Sequence, residues 1–244
     1  MKILVIGESC NDVYCYGVVN RLAPEAPVPV FSPKSTNEVG GMAMNVYLNV
    51  KSLGVDCDII TNDNWKSIQK RRFIDDKTNQ MFIRVDTCDD CYGIIDYSSI
   101  NFLNYDAIII SDYDKGFLSK ESIEDISKKH KYVFLDTKKI LGDWAKNSFL
   151  IKINQFEYQL SSSIIDDELK EKIITTLGSD GCIYNGIQYK VPKVDVKDVC
   201  GAGDTFIAAL VSKFINKHDL TESIQFANEC STKVIQKRGT NTVN

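Results

Sequence analysis

Short, unbroken apolar runs recur along the chain, each closed by a glycine or a polar residue. Residues 2–6 run into Gly7 and read as a buried strand that leaves its sheet there. Comparable runs occupy 107–111, 132–136, 149–153, 173–176 and 181–184. Helical periodicity lies between several of them. Residues 44–53 place Val46, Tyr47, Val50 and Leu53 on one face and stop at Gly54. Ser119 is a candidate cap for a helix ending near His130, with Glu121 and Glu124 in its first turns. Strand–helix alternation of this kind predicts an α/β fold with a mostly parallel central sheet, covered on both faces. Ligands of such sheets bind beyond the carboxyl ends of the strands, so the residues just after each run are the ones to inspect.

Two stretches break the alternation. Residues 12–35 hold four of the five prolines and show no helical period, and residues 70–97 contain short alternating segments such as Met81–Asp86. Both predict antiparallel strands outside the main sheet, a small β lid assembled from segments at about 12–38 and 70–97. No repeat or long linker interrupts the chain, which reads as one domain over 1–244.

Composition adds exclusions. With 29 Lys+Arg against 33 Asp+Glu, the net charge is −4, and 43% of residues are hydrophobic. These are globular proportions, with no basic surplus to recommend nucleic acid or an anionic membrane as partner. Any phosphate must be handled locally. No apolar run reaches the ~18–20 residues of a membrane span. The first strand meets Glu8 too early for a signal peptide, so a cytoplasmic protein is expected. The eight cysteines then read as reduced thiols. Cys88-x-x-Cys91 lacks a second pair, and with only His130 and His218 in the chain no zinc site or Ser-His-Asp arrangement is expected. Trp65 and Trp144 read as packing residues.

The segment richest in chemistry is Asp198-Val-Cys-Gly-Ala-Gly-Asp204, which opens a long amphipathic helical pattern. Gly201 and Gly203 let the backbone approach a ligand, and a helix N-terminus offers unpaired amides and partial positive charge. The amides of Gly201, Ala202 and Gly203 form a candidate anion cradle that needs no lysine. A carboxylate beside such a cradle, Asp204, is placed to take a proton from an attacking hydroxyl. A tight turn with an acid helping the helix dipole is the plainer alternative.

In context, Asp198-x-x-Gly-Ala-Gly-Asp204 resembles the C-terminal signature of the ribokinase-like (PfkB) carbohydrate kinases, and further motifs follow in that family's order. Gly40-Gly41-Met-Ala-Met-Asn45 looks like the N-terminal signature, and Asp12 matches the sugar-binding aspartate. Asn154-Gln155-Phe156-Glu157 matches Asn-x-x-Glu, and Thr176-Leu-Gly178-Ser-Asp-Gly181 looks like the nucleotide-side loop. The resemblance implies a three-layer α/β/α fold with a β lid, ATP and Mg²⁺ as cofactors, and Asp204 as general base. It puts the sugar on Asp12, Gly40, Gly41 and Asn45. The nucleotide falls to Asn154, Gln155, Phe156, Glu157, Thr176, Gly178, Gly181 and Asn228. Glu157 would hold Mg²⁺ through water, and Asp198 would shape a monovalent-cation loop.

A narrower likeness is to D-glycero-β-D-manno-heptose-7-phosphate kinases of lipopolysaccharide synthesis. Arg21-Leu-Ala-Pro-Glu-Ala-Pro-Val-Pro29 is similar to their proline-rich segment, Ser111-Asp-Tyr-Asp-Lys-Gly116 to their Ser-Asp-Tyr-x-Lys-Gly, and Asp136-Thr-Lys138 to their Asp-Pro-Lys. Lys70-Arg-Arg-Phe, Asn79-Gln80 and Arg84-Val-Asp86 echo their lid strands. The likeness implies a sugar-phosphate substrate, with Arg84, Asp112, Lys115 and Lys138 as further contacts, and proline-rich lid segments with apolar edges favour a homodimer through the lid. Against that pattern the chain lacks several tens of residues between Thr61 and Lys70, is abbreviated from Glu157 to Ile173, and has no nucleotidyltransferase module. The first gap lies near the expected sugar pocket and bears on substrate identity. A kinase for another sugar, or a protein that binds nucleotide or sugar without turnover, are the competing readings.

Overall fold

A computed structural model describes residues 1–88, 90–91 and 96–244. The expected lid segment 70–97 and the Cys88–Cys91 motif therefore fall partly outside the described residues, at 89 and 92–95. The six apolar runs become strands of an eight-stranded sheet. Its parallel part comprises β1 (Lys2–Gly7), β4 (Asp56–Ile60), β7 (Ala107–Asp112), β8 (Val133–Thr137), β9 (Leu150–Asn154) and β10 (Ile173–Thr176). Two antiparallel strands, β11 (Cys182–Tyr184) and β12 (Ile187–Tyr189), complete the order β12-β11-β10-β9-β8-β7-β1-β4. Of these, β4 and β12 are additional to the sequence expectation.

Both faces of the central parallel strands are covered, which is why consecutive positions such as Ile3–Ile6 and Ile108–Ile110 are apolar and buried. Ile3 and Val5 face a core shared with α1 (Ala43–Ser52), α5 (Ala202–Lys217) and α6 (Leu220–Val234). Leu4 and Ile6 face the opposite core with α2 (Lys120–Lys129). Ser119 caps α2 through its side chain, as the sequence predicts. Helix α5 departs from its expected amphipathic character. Every residue from Asp204 to Ser212 is buried, because α1, α6 and the sheet leave the helix no open side.

The second sheet has the order β3-β2-β5-β6, from β2 (Ser9–Leu22), β3 (Pro29–Met42), β5 (Gln69–Asp75) and β6 (Met81–Thr87). Its outer pairings are antiparallel as expected, but β2 and β5 run parallel. The reason is connectivity: between them the chain passes through α1 and β4 and re-enters the small sheet in its original direction. Residues 61–68 make this return as one tight turn, in which buried Asn62 accepts the Ser9 amide at 2.8 Å. Where the sequence is abbreviated after β9, two short helices, α3 (Gln155–Ser161) and α4 (Asp167–Lys172), form the connection to β10.

Candidate active site

The Asp198–Asp204 segment follows β12 and opens α5. One Asp198 oxygen accepts the Cys200 amide at 2.9 Å and the other the Gly239 amide at 3.1 Å, tying this turn to the C-terminal loop. Gly201 then caps the helix at φ 77°, where a side chain is strained, and a Cβ there would stand 2.5 Å from Asn45 Nδ2. A Cβ on Gly203 would stand 2.9 Å from Lys152 Nζ. Two corrections to the expected cradle follow. Ala202 has its amide engaged by the Val199 carbonyl at 3.2 Å, leaving the amides of Gly201, Gly203 and Asp204 without a backbone acceptor among the described residues. A lysine is also present, since Lys152 reaches the cradle from β9, buried and paired with Asp136 at 2.7 Å.

Asp204 does not cap its own helix. Its carboxylate turns to side chains of other elements: Asn45 Nδ2 donates to one oxygen at 2.9 Å and the Tyr113 hydroxyl to the other at 2.6 Å. Asn45, expected on the sugar, is thus turned toward the acid, and Asn49 holds it there by donating to its Oδ1 at 3.0 Å. Burial pushes the Asp204 carboxyl up to about 6, with nearby Asp136 adding to the rise and Tyr113, Asn45 and Lys152 opposing it. Such a group is ionised at neutral pH yet basic enough to accept a proton.

The lid closes the other side. Asp12 is buried against Arg72 at 2.7 Å, and Thr240 donates to its second oxygen at 3.4 Å. Gly41 is required beside it, because a Cβ there would meet Asp12 Oδ2 at 2.4 Å. Gly40 lies against Met44. Arg72 pairs in register with Arg84, whose guanidinium is held by Asp86 at 2.5 and 2.7 Å.

On the main sheet, Asp112 is corrected from a substrate contact to a loop clamp. It is 1% exposed, and its oxygens accept from Lys139 at 2.6 Å and from Thr137. The Lys115 amide donates to Glu8 at 3.1 Å. Lys138 bridges two motifs, 2.6 Å from Glu157 and 4.0 Å from Asp136. Asn154 and Glu157 form a reciprocal capping box on α3, the Glu157 amide donating to Asn154 Oδ1 at 2.9 Å and the Asn154 amide to Glu157 Oε2 at 2.8 Å.

Behind the cradle lies a cavity of about 470 Å³, large enough for a nucleoside. Thr176, Gly178, Gly181 and Asn228 line it together with Ala202 and Gly203, and its walls are apolar, with Val199 and Phe206 among them. Gly181 is held at φ 83°, where a Cβ would lie 1.9 Å from the Tyr189 carbonyl oxygen. Asn228 donates to that same carbonyl at 3.0 Å. Gln155 lines a separate groove beside Tyr184, and Phe156 is 66% exposed.

Sequence reasoning missed Tyr113, Lys152 and Arg72 as site residues. Lys152 carried a readable signal, a lone lysine inside an otherwise apolar strand, which is costly unless paired. Tyr113 stands inside the Ser111–Gly116 motif, but its role was not readable, because its partner is 91 residues away.

The layered fold and its lid match solved kinases of ribokinase type. Arabidopsis thaliana ribokinase complexed with ribose and ATP superposes with a TM-score of 0.69 at 15% identity, covering 99% of this chain and 94% of that one. The Methanocaldococcus jannaschii nucleoside kinase, an archaeal member of the ribokinase family, gives 0.69 at 18% identity over 98% and 93%. Residues 104–244 match the pfkB family carbohydrate kinases, and the chain belongs to that family. It is a carbohydrate kinase. The bifunctional protein HldE of Helicobacter pylori is 32% identical over 295 positions, covering 98% of this chain and 63% of the relative. HldE of Haemophilus influenzae is 28% identical over 294 positions, covering 99% and 61%. The chain thus spans about three fifths of the length of these relatives. Because those alignments are longer than the 244-residue chain, the relatives also carry internal segments that it lacks. Among the described residues, no helix is long and apolar enough to cross a membrane.

Proposed function

We propose that this kinase transfers the γ-phosphoryl group of ATP to a hydroxyl of a sugar phosphate. The acceptor is D-glycero-β-D-manno-heptose 7-phosphate, giving the 1,7-bisphosphate, as part of lipopolysaccharide synthesis in the cytoplasm. The observation that carries the reading is Asp204, held by two donors at the mouth of the α5 amides and next to an apolar cavity of nucleoside size. In this reading the anomeric hydroxyl gives its proton to Asp204 as its oxygen attacks the γ-phosphorus, and ADP leaves on the opposite side. Amides of Gly201 and Gly203 and the Lys152 ammonium stabilise charge on the transferring group, where preorganised donors count most. Gly178, Gly181, Thr176 and Asn228 hold the nucleotide.

The donor chemistry fits Mg²⁺ held through water, since that ion keeps several waters and uses few protein oxygens. Asn154 and Glu157 supply hard oxygens, and Lys138 already sets one cation against Glu157. When bound, Mg²⁺ neutralises the phosphate oxygens. A monovalent cation beside Asp198 would shape the cradle turn. On the lid, Asp12, Gly40 and Gly41 face the sugar. The substrate phosphate falls to Arg72 and Arg84, with Lys70, Lys115 and Lys138 nearby. The β6 edge exposes Met81, Ile83 and Val85, which favours pairing of two lids in a homodimer.

A kinase for a different sugar phosphate remains the second reading, favoured by the tight 61–68 turn at the sugar side. Coupled ADP-release assays over a panel of sugar phosphates decide. Turnover with heptose 7-phosphate supports the first reading, turnover with another sugar alone supports the second, and nucleotide binding without ADP release overturns both.

A further inference from the structure

Glu8, at the carboxyl end of β1, is fully buried and belongs to none of the roles above. Its carboxylate gathers backbone amides of the loop after β7: Tyr113 at 2.8 Å, Lys115 at 3.1 Å and Phe117 at 3.4 Å. Left-handed conformations at Asp114 and Gly116, φ 57° and 95°, turn these amides to one side, as an anion-binding nest requires. The loop is pinned again by Asp112, through Lys139 and Thr137. A turn anchored so heavily delivers one side chain to a defined point. That side chain is Tyr113, whose hydroxyl donates to Asp204 at 2.6 Å. Its ring lies between two ammonium groups, Lys70 of the lid at 5.6 Å and Lys138 at 5.4 Å from the centroid, which restrain it further.

We propose that Tyr113, fixed by the Glu8 anchor, is a positioning residue that holds the Asp204 carboxylate in the orientation from which it receives the substrate proton. The inference rests on the reading of Asp204 as the base. Each carboxylate oxygen has two acceptor sites, and Tyr113 and Asn45 take one apiece, so each oxygen keeps one for the incoming hydroxyl. Without Tyr113, one oxygen loses its donor in a dry site, the carboxylate gains freedom to turn, and the charged form loses support. The other groups facing Asp204 do not compensate. Asp136 opposes its charge; Lys152 already supports it but is held in place by Asp136, Lys138 is held by Glu157, and buried Cys10 brings no positive charge, so none is free to move in for the lost donor. Tyr113 itself stays protonated, because burial and the Asp204 charge push its phenol well above its ordinary value.

Tyr113→Phe removes the hydroxyl and keeps the ring, and an unchanged thermal melt shows that the variant folds. Its kcat should fall about tenfold or more with little change in KM for ATP, and the acid limb of the kcat profile should move up by about one pH unit. A readout independent of turnover decides the matter. With aspartate ¹³C-labelled at the carboxyl carbon, the Asp204 resonance is assigned by its loss in Asp204→Asn and titrated in wild type and Tyr113→Phe. A higher midpoint in the variant supports the inference, and an unchanged midpoint overturns it. Whether Asp204 is the base is judged separately, by turnover of Asp204→Asn.

Discussion

Asn45 and Asp204 lie 159 residues apart in the chain, yet the Asn45 amide donates to the Asp204 carboxylate at 2.9 Å. The contact joins the start of α1 to the start of α5 and puts two motifs, read separately as a sugar contact and a base, into one unit. The acid is therefore not a loose group at a helix end. Replacing it by Asn keeps the shape and removes the proton acceptor. Asp204→Asn should lower kcat by about 100- to 10,000-fold in an ADP-release assay while nucleotide affinity, measured by calorimetry, stays within a few-fold.

Stability should move the opposite way. The folded-state pKa of Asp204 is about 6, above its unfolded value of 3.8, so the folded protein binds this proton more tightly than the unfolded chain does. Ionisation of Asp204 therefore costs stability as pH rises from about 4 to 6, and the full cost persists above that. Asp204→Asn removes the cost, so the variant should be more stable than wild type at pH 7.5, by about 1–3 kcal/mol. The gain should shrink toward pH 4. Denaturant unfolding at the two pH values checks this, and an equal gain at both would refute the assignment.

The buried pair under the lid makes a different demand. Arg72→Met leaves the Asp12 carboxylate without its ion partner in a site sealed from water. The variant should lose about 3 kcal/mol in urea unfolding, with Asp12→Asn in the same background recovering part of the loss.

Close packing at the cradle gives a steric prediction. A methyl at position 203 meets the Lys152 ammonium, which cannot retreat without leaving Asp136. Gly203→Ala should weaken ATP binding about tenfold, or 1.4 kcal/mol, while AMP binding changes little, because the displaced charge serves the terminal phosphates.

Glu157 separates a helix cap from a metal role. Gln can complete the same capping box but not the ion pair with Lys138, so Glu157→Gln should lose about 1–2 kcal/mol of stability and also need several-fold more Mg²⁺ for half-maximal activity. Asn154→Ala, which removes the cap, should cost about 1 kcal/mol of stability. Equal Mg²⁺ requirements in wild type and Glu157→Gln would leave only the cap.

Six of the eight strands of the main sheet, the helices at 43–52 and 120–129 and the Gly-Ala-Gly-Asp helix start were legible, because burial on both faces, capping and glycine punctuation are local properties of a segment; β4 and β12, with acidic or exposed positions, were not. The lid was legible as strands but not in its pairing: nothing local to β2 or β5 states that they run parallel, since direction comes from the path between them.

The same division holds for the chemistry. Residue order by itself determined a two-faced α/β sheet, a helix N-terminus offering amides to an anion, and an acid in its first turn, because each depends on neighbours within a few positions. Only the tertiary structure decided that Tyr113 and Asn45 grip that acid, that Lys152 enters the cradle, and that Asp112 clamps a loop. A carboxylate's orientation and basicity depend on which charges and dipoles lie within a few ångströms and how far water is excluded, and those neighbours come from α1, β8, β9 and the loop after β7. The meeting of these elements at the carboxyl ends of the central strands is a consequence of the fold as a whole.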